Sequence, residues 1–230
     1  MPLLLLIRHA TNDFVKSGRL PGQSPNIHLN EEGRRQADAL GEALRPRTID
    51  AVYASQLERA IETAWRIAAP RAHAILIRPG IADINNGAFT GRVLKELAEG
   101  ADTKDIWKVV VETPSAAAFP GGEAMLGMQQ RVVGQLEAIA RAHPDLEEPL
   151  SDDALKDAKP DDPKTRKRPQ TVAVVMHADP IKAALAHFLG MPFDNFQRLM
   201  VAPASYSTVM LNPADEKSKP LVMNVNQVPY

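Results

Sequence analysis

Two histidines and two arginines stand where apolar segments of the chain end abruptly. Leu3-Leu4-Leu5-Leu6-Ile7 stops at Arg8-His9-Ala10, and the β-branched run from Thr171 to Met176 stops at His177-Ala178-Asp179. A continuous apolar run of this length fits a strand covered on both faces, as in a parallel sheet. Ligands of open α/β sheets collect at the carboxyl ends of such strands. Between the two runs, Asp50 to Ser55 reads as a third strand leading into a helix from Gln56 to Ala64, with Arg59 in its first turn. Helix N-termini carry free N–H groups and the positive end of the dipole, so Arg59 adds a guanidinium to a place already suited to anions. The planar fork of Arg matches a phosphate or carboxylate, and an imidazole beside it can act as nucleophile, base or ligand. Together these residues predict an oxyanion pocket served by histidine.

The order and spacing of further residues resemble the histidine phosphatase superfamily, the phosphoglycerate mutase-like proteins. Arg8-His9, Ser55-x-x-x-Arg59-Ala60-x-x-Thr63-Ala64 and His177 carry the resemblance at the three strand ends. Arg19-x-x-Gly22 and Leu29-Asn30-x-x-Gly33-x-x-Gln36-Ala37 look like the family's segment after the nucleophile, Asp83-x-x-x-Gly87-x-x-x-Gly91 like its acid loop, and Phe119-Pro120-Gly121-Gly122-Glu123 like the loop and helix start of its phosphatase branches. The resemblance implies that His9 attacks phosphorus and forms a phosphohistidine that water hydrolyses, with Arg8, Arg59 and His177 around the non-bridging oxygens. It places Asn12, Gly22 and Ala178 with those three as phosphate-binding positions, and it requires no metal and no cofactor.

This sequence also departs from the family pattern. Asp83 stands where Glu is common, so the proton donor is one methylene shorter; Glu123 and Asp179 are the alternatives for that task. Ala10 replaces the usual Gly after the nucleophile, and the segment Thr11-Asn12-Asp13-Phe14 is short. The stretch between Gly91 and Glu123 lacks the long basic insertion of the glycolytic mutases, which favours a phosphatase acting on a small phosphomonoester over an isomerase that returns the phosphoryl group to substrate. A non-catalytic phosphate or phosphoprotein binder is the third reading, and the full set of candidate catalytic residues argues against it.

To position these groups the chain needs strands near 2–7, 50–54, 74–77, 171–176 and 205–211, and helices near 31–44, 57–69, 92–99, 122–142 and 179–189. That alternation predicts an α/β fold, a three-layer α/β/α sandwich with a mainly parallel central sheet, in a single domain spanning 1–230. Residues 221–226 are expected to add a short final strand with no partner legible in the sequence. On the helix after Ser55, Trp65 together with Ile61, Ala64 and Ala68 is expected to face the sheet. Trp107, near Phe119, is assigned to core packing, with the substrate entrance as the alternative. His28, His73, His143 and His187 lie away from the strand ends and are read as surface or packing residues.

With 230 residues, 44% of them hydrophobic, the chain can bury a sizeable core. The absence of cysteine excludes disulfides, thiolate metal sites and a cysteine nucleophile. A formal net charge of −1 offers no global attraction to nucleic acid or anionic lipid, so no nucleic-acid or membrane partner is expected and the positive potential belongs to the pocket. Residues 3–7 are too few, and lack the basic leader, for a signal peptide or membrane span, which leaves the cytoplasm as the expected location. One stretch is compositionally biased: residues 145–169, with Asp161-Asp162-Pro163 and Lys164-Thr165-Arg166-Lys167-Arg168-Pro169, read as a solvated, mobile loop insertion.

Overall fold

The computed structural model describes residues 1–149, 165–215 and 217–229. Its central sheet is built from β1 (Leu3–Arg8), β2 (Ala51–Ala54), β3 (Ile75–Ile77), β6 (Thr171–Met176), β7 (Tyr206–Met210) and β8 (Leu221–Gln227), ordered β3-β2-β6-β1-β7-β8. The first four in that order run parallel, and β7 and β8 are added antiparallel. The final strand anticipated near 221–226 therefore exists, and its partner is β7.

Side chains alternate across a strand, so the unbroken apolar run of β1 fills two cores at once. Leu4 and Leu6 pack on one face with Met128, Val132 and Leu136 of α6 (Met125–Arg141) and with Ile181 and Leu185 of α7 (Ala178–Phe188). Leu5 and Ile7 pack on the other with Leu40 and Leu44 of α2 (Glu31–Leu44) and Ala60, Ala64 and Ile67 of α3 (Glu58–Ala68). Each fully buried Leu or Ile contributes about 1.5–3 kcal/mol, which explains why a run without polar interruption is placed at the centre of the sheet. The parallel register pairs Leu3 with Thr171 and Arg8 with Met176, so His9 and His177 leave the sheet side by side.

Three sequence expectations change. Trp65 is 53% exposed rather than against the sheet, and the Arg66 guanidinium lies 4.9 Å from its ring centre. The small residues Ala60, Ala64 and Ala68, with Ile67, make the buried stripe of α3, and Trp65 falls at its edge. The segment 145–169 is not loop at its ends: β4 (Leu146–Pro149) pairs antiparallel with β5 (Thr165–Arg168). Arg168 ties this hairpin to the body of the protein by donating to Asp50 at 2.8 and 3.0 Å and to Glu148 at 2.5 Å, an organised use of charge that composition alone does not distinguish from solvation. Residues 150–164 of the expected insertion lie outside the described residues. Finally, two helices went unread, the single turn α1 (Asp13–Lys16) and α5 (Lys104–Glu112). The latter, with α4 (Leu94–Glu99), forms one side of the site described next.

Candidate active site

β1 and β6 deliver His9 and His177 to one edge of the sheet with ring centres 5.1 Å apart. His9 Nδ1 lies 2.7 Å from the Ala10 carbonyl oxygen. A carbonyl only accepts, so the hydrogen sits on Nδ1 and Nε2 keeps its lone pair. Burial, then Arg59 and Arg8, hold the His9 imidazole well below its ordinary range, which keeps it neutral. Thr63 fixes the backbone here: its Oγ1 accepts from Ala10 N at 3.0 Å and donates to the Arg59 carbonyl at 2.8 Å. In the first turn of α2, a Cβ at Gly33 would lie 1.9 Å from the Thr11 carbonyl oxygen, so only glycine lets α2 approach the segment after the histidine this closely.

Arg59 is fully buried at the start of α3. Its Nη2 donates to the Gly22 carbonyl at 2.6 Å and to Asp83 Oδ2 at 3.3 Å, while Nε and Nη1 are buried without a hydrogen-bond partner among the described residues. Unsatisfied buried donors on a cation are costly, and an oxyanion within reach would satisfy them; Arg59 has no exposed surface and, like His177, Asn12 and Gly22, is not among the residues lining the pocket that holds Arg8 and His9. Gly22 contributes through that carbonyl, with φ of +48°, a left-handed conformation suited to glycine. Asn12 caps α1, accepting from Val15 N at 2.9 Å, and its buried Nδ2 also has no partner among the described residues. Arg8 Nη1 donates to the Val201 carbonyl at 2.6 Å.

His177 is buried and held by Ser55, whose Oγ lies 2.7 Å from Nε2. Burial is the main cause that keeps His177 well below its ordinary range, with Arg59 next. Its Nδ1 lies 3.7 Å from Asp83 Oδ2. Asp83 itself is pushed up to about 6, by burial above all, against the pull of Arg59 and aided by the charge of Asp179. A carboxyl that titrates there holds its proton on the acid side of neutrality, as a general acid requires.

Of the three acid candidates, two share the pocket and one lies outside its lining. Asp83 and Asp179 line the same pocket as Arg8, His9 and Ala178. Asp179 is paired with Lys182 at 3.6 Å. Glu123 is not among the lining residues; it forms a two-pronged ion pair with Arg131 at 2.8 and 2.9 Å. Arg131 also donates to the carbonyls of Gly80, Ala82 and Asp83, so the Glu123–Arg131 pair clamps the turn that carries Asp83. None of His28, His73, His143 and His187 lines the pocket.

Sequence reasoning missed Ser55, Arg131 and Asn86 as site residues. Ser55 had a signal, since it follows its strand as His9 and His177 follow theirs. Arg131 had none, because its partners are brought to it only by the fold. The pocket, about 380 Å³, is completed by Asn86, whose buried Nδ2 is unpartnered among the described residues, and by side chains of α1, α4 and α5.

A mainly parallel α/β sheet holds, at its strand ends, a neutral histidine with one fully buried guanidinium and one half-buried one, chemistry suited to an oxyanion. The chain belongs to the histidine phosphatase superfamily (branch 1), whose family model matches residues 4–147 and 158–225. It is similar to phosphoserine phosphatase 1 of Hydrogenobacter thermophilus, 27% identical over 98% of this chain and 92% of that one. Similarity at 27% also extends to a protein named probable phosphoglycerate mutase of Erwinia tasmaniensis, over 89% of this chain and 82% of the relative. In three dimensions the fold matches the structure titled Mycobacterial hydrolase 1 with a TM-score of 0.78 and 22% identity, covering 99% of this chain and all of that one.

Proposed function

We propose that the protein is a single-domain, metal-independent phosphatase that hydrolyses a small phosphomonoester through a phosphohistidine on His9. The observation that carries this reading is the tautomer of His9: with Nδ1 donating to Ala10, Nε2 has a lone pair in a pocket that also holds Arg8 and the proton donor candidate Asp83. In the first step Nε2 forms a bond to phosphorus as the phosphorus–oxygen bond to the alcohol breaks, and Asp83 gives its proton to the departing oxygen. In the second, Asp83 takes a proton from water as water displaces the imidazole, and inorganic phosphate leaves.

Arg8, Arg59 and His177 stabilise the charge on the equatorial oxygens, with Asn12 Nδ2 and the helix start at Ala178 as further donors; Gly22 acts by holding Arg59. A Ser55 hydroxyl that donates to His177 Nε2 leaves the hydrogen on Nδ1, the side on which Asp83 lies. Among the described residues no group of three or more His, Asp or Glu side chains is arranged to hold a metal ion, and no helix is long and apolar enough to cross a membrane. The proposal includes a cytoplasmic location and a small phosphomonoester as substrate, with no nucleic-acid or membrane partner, in keeping with the net charge of −1.

The test is an assay of phosphate release from 4-nitrophenyl phosphate, followed by 3-phosphoglycerate with both products quantified. The proposal expects release of inorganic phosphate from the first. Conversion of 3-phosphoglycerate to its isomer without phosphate release would assign a mutase instead, and binding without turnover of either would assign a phosphate binder.

A further inference from the structure

The outer wall of the pocket has a different chemistry from its floor. Arg8, His9 and Asp83 form the polar end, whereas Val15, Leu20, Leu94, Trp107 and Val111 converge from α1, the following loop, α4 and α5. Trp107 and Val111 are one helical turn apart on α5, so they present one face, while Val110 turns into the core. Val111 is 47% exposed and Leu94 39%, and Trp107 is half-buried. Apolar side chains that remain exposed while lining one concave surface mark a place where apolar ligand surface is buried.

Of the two cations at this wall, Lys182 is committed, lying 3.6 Å from Asp179 and donating to Gln197 at 3.0 Å, whereas Arg19 is exposed at the rim and spends one N–H on the Gly91 carbonyl at 3.0 Å. Beyond the Arg19 rim, the carboxylate of a compact hydroxy acid such as serine or glycerate, and the ammonium group of serine, would meet the hydrocarbon of Val15, Leu20, Leu94, Trp107 and Val111. Burying them there without full hydrogen bonding carries a cost, and the apolar wall would gain nothing in return.

We infer that the natural substrate is the phosphomonoester of an alcohol with an extended apolar body, an alkyl chain or ring seated on Leu94, Trp107 and Val111, and not a phosphorylated hydroxy acid. This deepens the phosphatase reading and rests on it for turnover, while the binding it requires is measurable separately. Alkyl phosphates of increasing length are well suited to the test, because their leaving groups are chemically alike and differences in kcat/KM report the apolar contact. Alkylphosphonates of the same lengths report binding without any reaction.

Affinity for the phosphonates, measured by titration calorimetry on the full chain, is expected to rise roughly two- to fourfold per methylene, the upper figure being complete burial of each CH2. From ethyl to hexyl phosphate, kcat/KM should rise by at least about tenfold, and hexyl phosphate should surpass O-phosphoserine and 3-phosphoglycerate. Val111→Asp and Leu94→Asp, both at exposed positions, should flatten the dependence on chain length in both series. Flat affinity along the series, a slope unchanged in both variants, or O-phosphoserine as the best substrate would overturn the inference. Length-dependent binding without turnover of any phosphate would overturn the phosphatase assignment, and with it the word substrate, while confirming the apolar wall as the part of the site that selects the ligand.

Discussion

Asp83 carries the most distinctive chemistry of any single residue. As the proposed general acid it must hold a proton, and burial pushes its carboxyl up to about 6, so kcat/KM for alkyl phosphates should be sustained below that pH and fall as pH rises through it. His9, held neutral well below its ordinary range, does not limit the rate over the same interval. Substrate phosphate also ionises near pH about 6, but identically for wild type and Asp83→Asn, so the difference between the two profiles isolates Asp83. Asp83→Asn should slow alkyl phosphates by about 10²–10⁴-fold and 4-nitrophenyl phosphate far less, since a stabilised phenolate hardly needs the proton. An equal, small effect on both substrates, together with an alkyl-selective defect in Asp179→Asn, would move the role to Asp179. The raised value also has a stability consequence of definite sign. The protonated form is favoured by the fold, so that contribution is complete below the ordinary value of 3.8 and is lost as pH rises through about 6. Thermal melts across that range should therefore show a decline that Asp83→Asn lacks.

At the scale of elements, the site depends on segments locked by backbone contacts. Arg131 on α6 joins Glu123 to the carbonyls of Gly80, Ala82 and Asp83. Arg131→Met should cost about 2 kcal/mol, since it leaves a half-buried carboxylate and several carbonyls without their donor. It should also lower kcat for alkyl phosphates more than for 4-nitrophenyl phosphate, a leaving-group signature that loss of stability alone would not produce; an equal loss on both would show that Arg131 only supports the fold. Gly33→Ala should destabilise by about 2 kcal/mol in denaturant unfolding, because its Cβ would collide with the Thr11 carbonyl; an unchanged midpoint would contradict the tightness of the contact between α2 and that segment. Strands were legible because β1 and β6 are continuous apolar runs with sharp polar ends, and α2 because Asn30 caps it and its apolar positions recur at helical spacing. The helix α5 was not, since Val109-Val110-Val111 is a β-branched run that reads against a helix, and its place is set by Val110 in the core with Trp107 at the pocket. Trp107 thus takes part in both roles considered for it, packing partly on the core and lining the entrance.

Across the whole molecule, the sheet gathers residues distant in sequence: positions 8, 9, 59 and 177 meet because β1, β6 and β2 are successive parallel strands, and Asp83 joins them from the turn that follows the parallel β3. The histidines and arginines were readable from those strand ends, whereas the committed state of Glu123 and the apolar outer wall were not, because each depends on contacts between elements far apart in the chain. If the guanidiniums of Arg8 and Arg59 supply the positive charge as proposed, activity should persist in EDTA, and vanadate should inhibit as an oxyanion that resembles the transferring group. Full loss of activity in EDTA, restored by a divalent ion, would contradict that role for Arg8 and Arg59. The proposed turnover hinges on a covalent bond between His9 and phosphorus. Rapid quenching of the enzyme during turnover of a phosphomonoester, followed by peptide mass spectrometry under basic conditions, detects that bond. An acid-labile, base-stable phosphate is expected on the peptide containing His9 and absent in folded His9→Ala, which should also lack turnover; near-normal turnover by folded His9→Ala, or phosphate found on another residue, would rule the covalent role of His9 out.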